Sequence, residues 1–228
     1  MWFDMNYLLL VMIPSLLLSG AAQMYVTSSF SRWSETRNSS NMTGAEVGRR
    51  LAQLPELGGV RFEGTPGKLS DHYDPSSHVV RMSPDVATRP SVAAMAIVAH
   101  EMGHAQQYVE KSPFIALRSF LLPAMRFSPM VSYGLIMLGF FLQMSGLMWL
   151  GIAFFGVVVL FMLLTLPVEI DASRRGMKLL KESGLLRGGS DAAGSRQMLT
   201  AAALTYVAAF VTALLTLLYY ISLVSRSR

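Results

Sequence analysis

The chain has no cysteine and few charged residues. The absence of cysteine excludes disulfide bonds and thiolate metal sites. Charged residues make up 14% of the 228 positions, whereas soluble domains average roughly 25%. The basic residues are scattered and lack interleaved aromatic residues, so no nucleic-acid partner is expected. Because hydrophobic residues reach 52%, this shortage of charge predicts a membrane protein in contact with a lipid bilayer.

Three long stretches contain no charged residue at all: 5–31, 127–168 and 197–225. A membrane crossing needs roughly 20 apolar residues, so the first and last stretches each hold one helix and the middle stretch holds two. The polar sequence QMSG at 143–146 is the expected turn between those two helices. We expect the first helix to be retained, because a signal peptide would carry Lys or Arg before its apolar part. The expected crossings are 5–26, a hairpin at 129–168, and 199–223.

The distribution of Lys and Arg predicts the orientation of these crossings. Residues 27–128 contain 11 Lys or Arg and residues 169–198 contain six. With four crossings both regions lie on the same side of the membrane, and positively charged regions face the cytoplasm. Both regions, and with them the candidate site described below, are therefore expected in the cytoplasm.

The polar regions contain short helices and strands. Thr43 and Glu46 form a capping box that begins one helix, and a second helix is expected at 91–110, after Pro90. Between them, residues 58–84 are rich in Gly, Pro and Ser, and they predict a short β-hairpin or meander that turns at Asp74. An interfacial segment is expected at 113–127 and a cytoplasmic helix at 169–198. The fold class is thus a mainly α integral membrane protein with a small α+β domain.

His100, Glu101 and His104 form the pattern His-Glu-x-x-His. Residues four apart on an α-helix differ by about 40° around its axis, so both imidazoles face the same way and can share a zinc ion. Zinc polarises a carbonyl and acidifies bound water, and Glu101 on the same turn is the candidate general base. A structural histidine pair on a solvated helix face is the alternative. The motif favours a peptidase that binds one zinc ion per chain.

A catalytic zinc ion needs a third protein ligand, because its fourth position holds water. The candidates are His72, His78 and the carboxylates. Glu169 directly follows the charge-free stretch 127–168, where a helix would present its carboxylate at the membrane surface. We expect Glu169 to be the third ligand, with the two histidines as the remaining candidates. An ordinary charged residue at the end of a membrane crossing is the alternative for Glu169.

Three segments of the sequence carry a resemblance to a known family. In chain order they are GKLSDHYDPSSHVVRMSPDV, AAMAIVAHEMGHAQQ and PVEIDASRRGMKLL. With the charge-free hairpin between the last two and AAALTYVAA in the last crossing, nearly the whole chain resembles the YugP-type family of membrane zinc metallopeptidases. It is more distantly similar to the HtpX-like and CAAX-prenyl membrane proteases.

The resemblance implies a minigluzincin-like peptidase domain in a bacterial cell-membrane protein. It implies that Glu101 is the base and that the metal ligands are His100, His104 and Glu169. The HtpX-like relatives carry an aspartate four residues after the ligand glutamate, but here that residue is Ser173 and the nearest acid is Asp171. Imidazole ligands usually have a hydrogen-bonding partner, so the role of Asp171 stays open.

Two further roles have alternative interpretations. The oxyanion of the reaction could be stabilised by Arg174, Arg175, His72 or Tyr73, although arginines at a membrane surface commonly contact lipid headgroups. In gluzincins an edge strand before the motif helix pairs with extended substrate. Residues 71–83 could do the same, or they could simply support the helix.

These observations predict a membrane-embedded zinc metallopeptidase that acts on peptide or membrane-protein substrates. The alternative is a zinc-binding membrane scaffold or chaperone partner without significant turnover. The presence of Glu101 speaks against this alternative, because a scaffold has no need of a base. The sequence is compatible with an oligomer or with membrane partner proteins and does not choose between them.

Overall fold

The computed structural model describes residues 5–225, and most of them are helical. Within this range, four helices are long and apolar enough to cross a membrane: Met5–Glu35, Pro113–Phe141, Ser145–Glu182 and Gly189–Ser225. The expected mainly α fold with four candidate crossings is therefore confirmed. The chain divides into two compact units, which are described separately.

The first candidate crossing is a continuous helix with one irregular turn. It consists of α1 (Met5–Tyr7), a π-helical turn (Leu8–Met12) and α2 (Ile13–Glu35). The irregular turn lies directly before Pro14. Proline has no amide hydrogen to donate to the preceding turn, which accounts for a local departure from α geometry at this position.

The next two long helices continue through their prolines. α6 (Pro113–Phe141) is a single helix, with no break between the interfacial segment expected at 113–127 and the crossing expected from 129. Pro123 and Pro129 lie inside it, because a proline removes one hydrogen bond and bends a long helix without having to end it. α7 (Ser145–Glu182) likewise continues through Pro167. The expected helix at 169–198 is instead the end of α7 and the start of α8 (Gly189–Ser225).

One unit contains residues 5–23, 116–167 and 204–225. Its α6 and α7 form a hairpin with a turn at 142–144, close to the predicted position. A Cβ atom at Gly151 would lie 2.6 Å from Ile136 Cγ1, so glycine lets the two helices approach closely. Phe120, Met130 and Phe141 are each more than 70% exposed. Such outward apolar side chains suit a lipid environment.

The other unit contains residues 24–115 and 168–203 and includes a three-stranded sheet. β1 (Arg61–Gly64), β3 (Val79–Met82) and β2 (His72–Asp74) lie in that order. β2 and β3 form the expected antiparallel hairpin, whereas β1 pairs with β3 in parallel, so the sheet is not a meander. The central strand β3 is the most buried of the three, because its Val80 and Met82 pack into the apolar core.

Helix α5 (Val92–Val109) lies at the centre of this unit. It begins at Ser91, whose hydroxyl accepts a hydrogen bond from the amide of Ala94 at 3.1 Å. Around it lie α3 (Gly44–Leu51, with the predicted capping box), a 3₁₀ turn (Pro55–Leu57), the sheet and α4 (Pro84–Thr88). Met95 and Met102 of α5 are fully buried in one apolar core that includes Val80 of β3 and Leu180 of α7. The packing on several sides fixes the direction of each side chain on α5.

Candidate metal centre

Two glycines let α5 and α7 cross at close range. A Cβ atom on Gly103 would overlap the carbonyl of Ala172, and one on Gly176 would lie 2.6 Å from the carbonyl oxygen of Ala99. Any larger residue would force the helices apart. Gly103 lies inside the His-Glu-x-x-His motif itself, so the motif includes the residue that brings α7 against it. No local sequence pattern predicts this role for either glycine.

The crossing brings His100, His104 and Glu169 together. Glu169 Oε2 lies 3.3 Å from His100 Nε2 and 3.5 Å from His104 Nε2. The two imidazole rings are nearly perpendicular, with an interplanar angle of 81°. Glu169 is buried and its Oε2 makes no hydrogen bond of ordinary geometry within the described part of the chain. A buried carboxylate oxygen in this position is satisfied if it binds a cation.

These distances fit a tetrahedral zinc site. Two ligand atoms each about 2.1 Å from a tetrahedral ion lie about 3.4 Å apart. Both measured separations from Glu169 Oε2 are within 0.1 Å of that value, and the three ligand atoms all lie within 4.8 Å of one another. Within residues 5–225 this is the one group of three His, Asp or Glu side chains close enough to hold a metal ion. Two imidazoles and one carboxylate are a donor set that zinc accepts readily.

Each imidazole also has a partner for its other nitrogen. His100 Nδ1 lies 3.2 Å from the hydroxyl of Ser173. His104 Nδ1 lies 3.0 Å from Oε1 of the fully buried Gln107. Gln107 Nε2 donates to the carbonyl of Val168 at 2.8 Å and to Asp171 Oδ2 at 2.7 Å. Asp171 therefore reaches His104 through an amide, which answers the question that the sequence left open.

The chain of contacts continues to the protein surface. Asp171 Oδ2 also accepts a hydrogen bond from Arg175 Nε at 2.7 Å, and Arg175 Nη1 lies 2.6 Å from Glu110 Oε2. Arg175 is thus held between two carboxylates and orients Asp171. This arrangement favours a positioning role for Arg175 over stabilisation of an oxyanion. Gln107 was missed by the sequence analysis, although it lies in the quoted segment AHEMGHAQQ.

Glu101 is held by the edge strand of the sheet. The amide of Tyr73 on β2 donates to Glu101 Oε2 at 2.8 Å. Burial raises the pKa of Glu101, against the opposing influence of His100, His104 and this amide. A carboxylate with a raised pKa is a better proton acceptor near neutral pH. The Tyr73 amide therefore supports Glu101. The same amide is not free to pair with a substrate strand.

The other candidates from the sequence are Tyr73, His78 and His72, and none of them belongs to the three-residue group. The Tyr73 hydroxyl lies 2.7 Å from His78 Nδ1, and the Tyr108 ring is 6.1 Å from the Tyr73 ring. Burial, Tyr108 and Asp74 raise the pKa of Tyr73 to about 12, so its phenol stays protonated at neutral pH. His72 is exposed, with Nδ1 2.8 Å from the carbonyl of Ser70. Neither histidine joins the three-residue group.

Comparison with known proteins identifies the family of the chain. The model of the family described as "Putative neutral zinc metallopeptidase" matches residues 8–225. The chain is also 38% identical over 216 residues to the "Putative membrane protease YugP" of Bacillus subtilis (strain 168), in an alignment that covers 95% of this chain and 96% of that protein. No solved structure matches the chain. The chain therefore belongs to this family of zinc metallopeptidases, and zinc is its cofactor.

Proposed function

We propose that the chain hydrolyses peptide bonds with a zinc-activated water molecule, in the manner of a gluzincin. In this proposal His100, His104 and Glu169 hold the zinc ion and Glu101 is the general base. The observation that carries it is the convergence of two imidazole Nε2 atoms on one buried carboxylate oxygen, at 3.3 and 3.5 Å. A single positioned base on the same helix completes the set needed for metal-assisted hydrolysis.

His100, His104 and Glu169 would hold the zinc ion, which would supply Lewis acidity toward the scissile carbonyl and the attacking water. Glu101 accepts a proton from that water as the new C–O bond forms. It then returns the proton to the amine nitrogen as the C–N bond breaks, so that a carboxylic acid and an amine result. The Tyr73 amide fixes Glu101 Oε2, which holds the carboxylate in one orientation through both proton transfers.

Gln107 fixes the protonation pattern of His104. Its amide nitrogen donates to two acceptors, the Val168 carbonyl and Asp171, so its oxygen must be the atom that faces His104. An amide oxygen only accepts, so His104 Nδ1 carries the hydrogen and Nε2 keeps a lone pair for the metal. The Ser173 hydroxyl oxygen can accept a hydrogen bond from His100 Nδ1 in the same way, although a hydroxyl can also donate. Both imidazoles are therefore held ready to bind zinc.

Metal analysis combined with peptide cleavage tests the proposal. The full chain, purified in a neutral detergent, should contain about one zinc ion per chain. Chelation should abolish the cleavage of a mixed library of fluorogenic peptides, and added zinc should restore it. Zinc bound without cleavage of any peptide or unfolded membrane protein would overturn the peptidase proposal and favour a zinc-binding scaffold.

We further propose that the regions 27–128 and 169–198 face the cytoplasm, so that cleavage takes place there. The support is the Lys and Arg content of these regions. The chain has no cysteine, so a single introduced cysteine reports its own location. In intact cells an impermeant thiol reagent should label Met144→Cys in the hairpin turn but spare Lys68→Cys and Glu182→Cys. The opposite labelling pattern would place the site outside.

A further inference from the structure

A groove lies beside the metal centre, between the facing parts of α7 and α8. It has a volume of about 400 Å³. Each helix contributes residues at the spacing of one helix face: Ile170, Ser173, Arg174 and Met177 from α7, and Arg196, Leu199, Thr200 and Ala203 from α8. One wall is therefore formed by each helix, and each wall carries one arginine and one hydroxyl.

The two arginines of the groove differ from Arg81 and Arg175 of the same unit. Arg81 and Arg175 each lie within 3.1 Å of two carboxylates. Arg174 and Arg196 form no ion pair or hydrogen bond with any residue in the described range 5–225. Two exposed guanidinium groups line one cavity that has no Asp or Glu among its lining residues, and this arrangement favours an anion as the occupant.

The groove borders the candidate metal centre through Ser173 and Ile170. Ser173 lines the groove and also contacts His100 Nδ1 at 3.2 Å. Ile170 lines it as well, and it follows the proposed ligand Glu169 in the chain. A group that enters the groove would therefore lie beside Ser173, which itself contacts the proposed ligand His100. A substrate group in the groove would thus be separated from that ligand by one side chain.

We propose that this groove binds a carboxylate of the peptide substrate, so that the enzyme prefers an acidic group near the cleaved bond. The inference rests on the proposed peptidase function. Arg174 and Arg196 would bind the carboxylate oxygens, with the hydroxyls of Ser173 and Thr200 beside them. Met177 and Leu199 would contact the methylene groups of the same side chain. The carboxylate belongs to an internal acidic residue or to the C-terminus of a peptide.

Peptide sets that differ only in charge test this preference. Fluorogenic peptides carrying Glu, Gln or Lys at each position around the cleaved bond are compared by kcat/KM, with free and amidated C-termini. Hydrogen bonds between charged groups predict roughly tenfold or greater preference for Glu over Gln at one position. An effect confined to the free C-terminus would assign the groove to a terminal carboxylate. Either pattern supports the proposal.

Substitutions at Arg196 make the test specific to the groove. Arg196→Gln should remove the preference for the acidic peptide, and Arg196→Glu should reverse it in favour of the Lys peptide. A reversed preference cannot arise from misfolding, because the variant must still cleave. Lys178→Gln is the matched control, since Lys178 lies on α7 outside the groove and its side chain is 66% exposed. It should leave the preference unchanged.

The outcomes separate this inference from the function on which it rests. Equal rates for Glu and Gln peptides, together with equal rates for free and amidated C-termini, would overturn the groove proposal but leave the peptidase proposal intact. If zinc-loaded protein cleaved no peptide at all, the peptidase proposal would be overturned, and the groove proposal would fall with it. Activation by phosphatidylglycerol vesicles that is lost in Arg196→Gln, without any charge preference among peptides, would assign the groove to a lipid phosphate and overturn the peptide assignment.

Discussion

Glu101→Gln is expected to lower kcat by about 10²–10⁴-fold, the usual contribution of a general base, while zinc stays bound at about one ion per chain. Glutamine has nearly the same shape, and its amide oxygen can still accept the hydrogen bond that Tyr73 donates at 2.8 Å. It cannot take a proton from water at neutral pH. The loss is therefore chemical, with little effect on the fold. Zinc analysis and initial rates on the same preparation measure both quantities.

The control for this variant is Glu182→Gln, which removes the same charge at an exposed position near the end of α7. It should retain wild-type turnover and zinc. Two results would contradict the assigned role: a Glu101→Gln enzyme that keeps more than about a tenth of the wild-type kcat, or one that loses its zinc. The first would require another base, and the second would make Glu101 a ligand.

Glu169→Ala is expected to abolish cleavage and to weaken zinc binding severely. Two imidazoles would then hold the ion alone, and a buried space would replace a carboxylate that is only 3% exposed. Glu169→Asp should also be poor, because a side chain one methylene shorter draws its oxygen away from a metal–oxygen bond of about 2.0–2.2 Å. Titration of the metal-free variants with zinc, followed by assay of the loaded protein, measures both effects.

A graded comparison separates a ligand from its hydrogen-bonding partners. Gln107→Leu and Asp171→Ala leave all three proposed ligands in place and remove only the partner of His104 or its support. Loss of such a partner costs roughly 10–100-fold in metal affinity or activity, so both should fall between wild type and Glu169→Ala. The assignment would be wrong if His72→Ala or His78→Ala lost zinc while Glu169→Ala kept it.

Local sequence patterns predicted the parts of the molecule that depend on neighbouring residues. Charge-free stretches of about 20 residues or more indicate membrane crossings, because each residue partitions into lipid largely on its own. The spacing of His100 and His104 likewise fixes their common face, whatever surrounds the helix. The helix boundaries were less predictable. Prolines at 123, 129 and 167 lie inside helices, because packing and neighbouring hydrogen bonds outweigh the one that each proline removes.

The sequence by itself determined a membrane chain with a metal-binding helix motif, because charge, hydropathy and helical spacing are properties of adjacent residues. Only the tertiary structure decided what surrounds that motif. Glu169 meets His100 because Gly103 and Gly176 allow two backbones to approach, and no local pattern records which helix a glycine will contact. The bond from Tyr73 to Glu101 uses a backbone amide, which every residue except proline possesses. Contacts of this kind leave no signature in the identity of a residue, so they become visible only when distant segments pack together.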